Sequence, residues 1–363
     1  MRFDLDPLRR WLFPLQWKTK PIIYLLLLLL LLVGCRAEQK ELSFPALSPL
    51  APTGTLSVGG DSTVVSPYST SEISSIPFIT SGPPNQYLSP GEIFGFQDTY
   101  GTYFLYRPTN ISDLPKTLVV IHGTPAKDLS AEETAFYYAQ HWAPFAEEQG
   151  WLLLVPAFNQ ADFSSRKGEI TDALTGYRGL FGREIGADDW VIRLLGLGWE
   201  ALGWQEAPFY LYGHSAGGQY VGRFLVTHPE LVERAVISAA VTYPQPDPAL
   251  SWPYGMGALS SEIIWEDGTI AQVEVIPEVK KWLAATQVLV KVIVGLDDLE
   301  PQLSRPGQNG RVRLAIGQNW VEAMGVFAAE NDLESRITFG AISGKGHSML
   351  GLLPFCQAAL TPE

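Results

Sequence analysis

From about residue 91 onward, short continuous apolar runs alternate with stretches in which apolar residues recur at helical spacing. The runs TLVVIHG (117–123), WLLLVPAF (151–158), PFYLYG (208–213), RAVISAAVTY (234–243), QVLVKVIVG (287–295) and RITFGAIS (336–343) lack the polar alternation of a half-exposed strand. They predict strands buried on both faces, as in a parallel sheet covered by helices. EIFGF (92–96) and YGTYFLYRP (100–108) predict an earlier strand pair. Between the runs lie predicted helices at 130–150, 186–202, 217–229, 276–286, 319–330 and 349–360. In the second, Trp190, Val191, Leu194, Leu195 and Leu202 keep one apolar face. Ser130 and Glu133 have the spacing of a capping box at the start of the first. Strand–helix alternation of this kind predicts an α/β domain over 91–363 with a doubly wound, mostly parallel sheet.

Upstream the pattern is different. Residues 35–90 are rich in Ser, Pro, Thr and Gly, with no helical period and few large apolar residues. Such a segment buries too little surface to fold alone and is expected to act as a tether, its C-terminal part able to pack on the domain edge. Residues 1–34 place Arg9, Arg10, Lys18 and Lys20 before the apolar run 22–33, and LVGC closes the segment at Cys35. A basic flank, a short apolar core and small residues at a break describe a secretory signal. The run is shorter than the roughly 20 residues that span a bilayer. LVGC resembles the lipobox of bacterial lipoproteins, which implies lipidation at Cys35, an extracytoplasmic location in the cell envelope and attachment to a membrane surface. A plain transmembrane anchor is the alternative.

Charge and cysteine content narrow the picture further. The net charge is −13, which argues against nucleic acid as a partner, because phosphate binding needs a basic face. The two cysteines are Cys35 and Cys356; with the first taken by lipid, no internal disulfide can form.

The candidate chemistry sits in LYGHSAGGQY (211–220). Ser215 lies between a predicted strand and a predicted helix, in the Gly-x-Ser-x-Gly setting of a nucleophile elbow. Gly213 and Gly217 fall where a Cβ would collide in so tight a turn. Of five histidines, His141 lies mid-helix, His228 ends a helix, His214 is inside the elbow and His122 precedes Gly123 at a strand end. His347, in a loop after the last strand, is the one placed to bring an imidazole over the carboxyl edge of the sheet, where open α/β sheets keep their sites. The acid is expected at the end of 287–295: Asp298, with Asp297 as the alternative, to accept from His347 Nδ1. For the oxyanion, the backbone N–H of Ala216 is one expected donor and that of Thr124 the second, since Pro125 has none.

The elbow GHSAGG, the HGTP loop, the acid after VLVKVIVG and the terminal GKGHS together resemble the α/β-hydrolase family over about 91–363, in the chain order Ser215, Asp298, His347. The resemblance implies a serine hydrolase without a cofactor, most often an ester hydrolase, and no sequence pattern suggests a metal site. The elbow is also similar to those of esterases and polyester depolymerase-like members. Residues 242–272 form an expected insertion, whose Trp252, Tyr254 and Trp265, with His214, are candidate pocket residues; alternatively the insertion's rings pack it on the domain, and its DGT stretch (267–269) is alternatively a hairpin turn. The expected function is an extracytoplasmic carboxylesterase acting on a small-molecule or polymer ester through an acyl-enzyme on Ser215. The alternatives are a peptidase or amidase with the same triad, and a catalytically silent binding protein of the envelope.

Overall fold

The computed structural model describes residues 76–362, apart from 78, 82–83, 113–114, 165–175 and 266. The expected signal segment 1–34, Cys35 and residues 36–75 of the tether lie outside the described residues.

Nine strands form one sheet in the order β1-β2-β3-β5-β4-β6-β7-β10-β11. They are β1 (Ile79–Thr80), β2 (Ile93–Gln97), β3 (Thr102–Tyr106), β4 (Thr117–Ile121), β5 (Leu152–Ala157), β6 (Phe209–His214), β7 (Val232–Ser238), β10 (Leu289–Gly295) and β11 (Ile337–Ile342). β3 pairs antiparallel with both β2 and β5, and every other pairing is parallel. The domain thus has the doubly wound, mostly parallel sheet expected of it.

The continuous apolar runs are explained by where alternate side chains go. In β4, Leu118 and Val120 join one core cluster while Val119 and Ile121 join the other. In β6, Tyr210 and Tyr212 point to the first side, Phe209 and Leu211 to the second. Both faces of the sheet are therefore covered, and a polar residue on either would lose its water. On one side Ala135, Tyr138 and Trp142 of α1 (Ala131–Gln149) share a core with Leu352, Cys356 and Leu360 of a C-terminal helix. The other core holds residues of α3 (Ala187–Leu202), α4 (Ala216–Thr227), α5 (Val279–Ala285) and α6 (Arg313–Ala329); α2 (Gln160–Phe163) is a single turn, and α7 (Met349–Leu360) is the C-terminal helix. Burial pushes the Cys356 thiol up to about 12.

Two departures from the sequence reading matter, and one of its stated alternatives holds. The sheet begins inside the segment expected as tether: β1 pairs with β2 through Ile79–Gly95 and Thr80–Phe96, and Leu88 is buried. A two-residue strand has no periodicity to read. Helix α6 starts at Arg313, six residues before the expected start at 319. Gly317, a poor helix former, breaks the signal there, yet it packs against Tyr243, Val292 and Phe339, where a larger residue would crowd them. The insertion contains an antiparallel hairpin, β8 (Leu259–Ile264) with β9 (Ile270–Val275), separate from the main sheet. The DGT stretch is its turn, with Gly268 at φ 87° and Trp265 N–H donating to Thr269 O at 2.8 Å.

The capping box of α1 is formed in both directions. Glu133 N–H donates to Ser130 Oγ at 3.0 Å, and Ser130 N–H donates to Glu133 Oε2 at 2.7 Å. Ser130→Ala is expected to lower the unfolding free energy by about 1 kcal/mol, read as a shifted urea midpoint at unchanged slope.

Candidate active site

The site is assembled at the carboxyl ends of β4, β6, β10 and β11. At the end of β6 the chain turns sharply into α4. A Cβ on Gly213 would run into the Gly217 carbonyl, and one on Gly217 into the carbonyl oxygens of Ile121 and His122. Glycine at both positions therefore lets the turn sit directly against the end of β4. Ser215 occupies the apex at φ 53°, ψ −110°, a conformation costly for a residue with a side chain. Its N–H donates to Ser238 O at 2.8 Å, anchoring the apex to the end of β7. The strained backbone lifts Oγ above the sheet edge.

The loops after β10 and β11 complete the arrangement. Gly295 ends β10 where a Cβ would strike the Lys345 carbonyl, so the two loops touch, and Asp297 N–H donates to Lys345 O at 2.9 Å. His347 lies between β11 and Ser348, whose hydroxyl caps α7 by accepting from Gly351 N–H. His347 Nε2 is 3.1 Å from Ser215 Oγ, and His347 Nδ1 is 3.0 Å from Asp298 Oδ2. The structure thus brings Ser215, His347 and Asp298 together, with Asp298 buried and its neighbour Asp297 exposed. Burial is the largest influence on Asp298 and pushes its carboxyl up. The His347 hydrogen bond and the charges of Arg313 and His347 together outweigh it and hold the group below 3.8.

Arg313, the first residue of α6, was not legible from sequence. Its Nη1 donates to Asp298 Oδ1 at 2.6 Å and its Nη2 to Glu300 Oε2 at 3.1 Å. The partners are fifteen residues apart, with no local motif joining them.

The other histidines fall elsewhere. His214 is buried, with Nδ1 3.0 Å from Ser238 Oγ and its ring 4.9 Å from that of His347. Burial first, then the His347 and Arg313 charges, drive its pKa well below 6.5, so it stays neutral. His122 braces the loop after β4: Phe158 N–H donates to Nε2 at 3.1 Å, leaving Nδ1–H to donate to Gly123 O at 2.6 Å. Burial lowers its pKa to about 4. Arg178 donates to Thr124 Oγ1 at 2.7 Å and holds the same loop from the other side. Gly123 passes close to the elbow, its Cβ position 3.7 Å from Ser215 Cβ. Among the described residues, neither the Ala216 N–H nor the Thr124 N–H has a backbone partner. Ala216 follows Ser215 in the chain and Thr124 shares its cavity wall, and two such donors can receive an oxyanion.

A cavity of about 410 Å³ opens over Ser215 and is lined by His214, Lys127, Tyr137, Met349, Leu350 and Arg313, among others. A second, of about 480 Å³, lies on the far side of residues 124–127, with Phe158, Tyr177 and Arg178 in its wall. The expected pocket residues Trp252, Tyr254 and Trp265 line neither. Trp252 is buried with its Nε1–H on Gly179 O, and Trp265 is enclosed in the core cluster that also holds Trp252. Tyr254 is partly buried in the segment whose Pro253 carbonyl accepts from Arg223 of α4. Those rings remove more apolar surface from water by packing inward than by lining an open cleft. Among the described residues, no cluster of three His, Cys, Asp or Glu side chains could hold a metal ion.

No family model matches the chain and no curated protein matches it. Among solved structures, poly(aspartic acid) hydrolase-1 from Sphingomonas sp. KT-1 is 26% identical, with 75% of this chain and 99% of that one covered and a TM-score of 0.58. LpqC, a poly(3-hydroxybutyrate) depolymerase from Bordetella parapertussis, is 21% identical, with 72% and 85% covered and a TM-score of 0.53. With the sheet order and the elbow, these similarities give the chain the α/β-hydrolase fold.

A carboxyl held below its ordinary value adds stability that is present above that value and lost as pH falls through the folded one. Asp298→Asn is therefore expected to be less stable than wild type near neutrality. Below pH 3.8 it should lose stability less steeply, as measured by urea unfolding across an acid series.

Proposed function

We propose that the protein is a serine hydrolase that cleaves carboxylic esters through an acyl-enzyme on Ser215. The observation that carries this reading is the unbroken relay from Ser215 Oγ through His347 to Asp298, at 3.1 and 3.0 Å. His347 Nε2 takes the hydroxyl proton as Oγ attacks the carbonyl carbon. Asp298 fixes the tautomer with Nδ1 protonated and stabilises the imidazolium that forms. The Ala216 and Thr124 N–H groups receive the oxyanion, each worth about 3 kcal/mol at the transition state. The imidazolium then protonates the leaving alkoxide. In the second half, His347 activates a water that hydrolyses the acyl-enzyme and releases Ser215. No step calls for a cofactor.

The two cavities flanking 124–127 support an extended substrate, with room on both sides of the oxyanion loop for a polymer ester as well as a small one. A second reading, amide hydrolysis by the same residues, is favoured by the similarity to a poly(aspartic acid) hydrolase, whose named substrate is amide-linked. Hydrolysis of p-nitrophenyl esters in preference to the matching p-nitroanilides is the expected outcome for residues 36–363. Ser215→Ala should lower kcat by on the order of a millionfold and abolish labelling by a fluorophosphonate. Equal ester turnover by wild type and Ser215→Ala would remove the reading, and faster anilide than ester cleavage would replace it with the amide one.

We also propose that the chain lies outside the cytoplasmic membrane, held to a membrane surface by lipid at Cys35. The basic flank, the apolar run 22–33 and the LVGC sequence support this. Among the described residues, no helix is long and apolar enough to cross a membrane. Cells fed labelled palmitate are expected to label the wild-type chain and not Cys35→Ser, which should leave the membrane fraction. Equal labelling of both would rule the anchor out.

A further inference from the structure

Arg313 stands where a cation is poorly placed on general grounds. It is at the first position of α6, where the helix dipole disfavours positive charge, and its side chain is only 7% exposed. A buried ion pair adds little net stability, because desolvation offsets most of the attraction. What the placement does accomplish is visible in the bonds. Asp298 has two oxygens, and its side chain is 1% exposed. Oδ2 faces His347 Nδ1 at 3.0 Å, and Oδ1 accepts from Arg313 Nη1 at 2.6 Å on the opposite side. With only the histidine as partner, the carboxylate would be free to swing about its terminal bond. Arg313 is itself held from the solvent side by Glu300, whose side chain is 70% exposed.

We propose that Arg313 is a positioning residue for the reaction: it clamps Oδ1 of Asp298 so that Oδ2 is presented to His347, and Glu300 keeps the guanidinium in place. The proposal rests on the serine-hydrolase reading above.

The clamp has an electrostatic signature. Asp298 stabilises the His347 imidazolium, and a cation 2.6 Å from the same carboxylate opposes that stabilisation. The neutral His214 from β6 lies against His347, and Lys127 from the loop after β4 and Tyr137 from α1 line the same cavity. Of these His214 feels the Arg313 charge, but burial is its largest influence and keeps it neutral without that charge. Removing Arg313 therefore makes the base easier to protonate and moves the acid limb of kcat/KM to higher pH. A side chain that merely filled space would lower the rate without moving that limb. One that bound substrate directly would act on KM.

The test is a pH–rate profile on p-nitrophenyl butyrate for wild type, Ser215→Ala, Arg313→Gln and Arg313→Lys. Arg313→Gln is expected to lower kcat by about a hundredfold, with KM little changed and the acid limb raised by about one pH unit. Arg313→Lys, which keeps the charge and loses the fork, should return the limb to its wild-type position and recover part of kcat. A folded Arg313→Gln with wild-type kcat overturns the proposal, as does one whose rate falls while its acid limb stays in place or whose loss lies in KM. Should Arg313→Gln fail to fold, Arg313→Lys decides. Reduced kcat on an unmoved limb supports the clamp, and wild-type kcat overturns it. If Ser215→Ala turns over as fast as wild type, the hydrolase reading has failed and takes this one with it, whatever happens at 313.

Discussion

The arrangement at the carboxyl edge depends on how closely the turn between β6 and α4 can approach the end of β4. Backbone must lie on backbone there: Gly217 abuts the carbonyls of Ile121 and His122, and Gly213 abuts Gly217 itself. A single methyl group at either point would push the turn off the sheet, because a packed interior has no slack to absorb it. With the turn seated, Ser215 is forced into a positive φ and the N-terminal end of α4 is aimed across the loop after β4. The order β4-β6-β7-β10-β11 then carries the ends of β10 and β11 to the same edge, so residues 132 positions apart in sequence meet at 3.1 Å.

Around that turn the chain separates two kinds of histidine by environment. His122 and His214 are buried and stay neutral, so each can bridge fixed donors and acceptors as a structural element. His347 is 30% exposed and faces a carboxylate. Uncharged braces add no positive charge of their own beside the position where an imidazolium must form, and in a site of low dielectric that matters more than it would in water.

The strands, most of the helices and the relay were legible because each leaves a local trace: a continuous apolar run, a 3.6-residue period, or a short motif at the junction of two elements. Ser215, His347 and Asp298 were readable in this way, with Asp297 as the alternative until burial and the hydrogen bond to His347 decided between them. Arg313 left no trace, since its partners Asp298 and Glu300 lie in an irregular loop and the start of its own helix is obscured by Gly317. Of the two readings of the insertion's rings, packing on the domain is the one the structure bears out. Trp252 and Trp265 are large and apolar, and their side of the insertion is turned into the core; nothing in their spacing distinguishes an inward ring from one facing a cleft. The lining that is present, Lys127, Tyr137, Met349 and Leu350, comes from the flanks of the oxyanion loop and the histidine loop.

Beyond position 35 the chain has one cysteine, and it is sealed between α7 and the sheet with its thiol pushed up to about 12. Thiolate reagents have nothing to attack in the native domain. Leu299 and Leu303, both well exposed, lie on the loop that carries Asp298. A cysteine introduced at either would be the sole reactive thiol of the folded domain, giving a fluorophore or spin label one defined address a few residues from the acid of the relay. The same sealed sulfur leaves the domain indifferent to the redox state of whatever medium surrounds it.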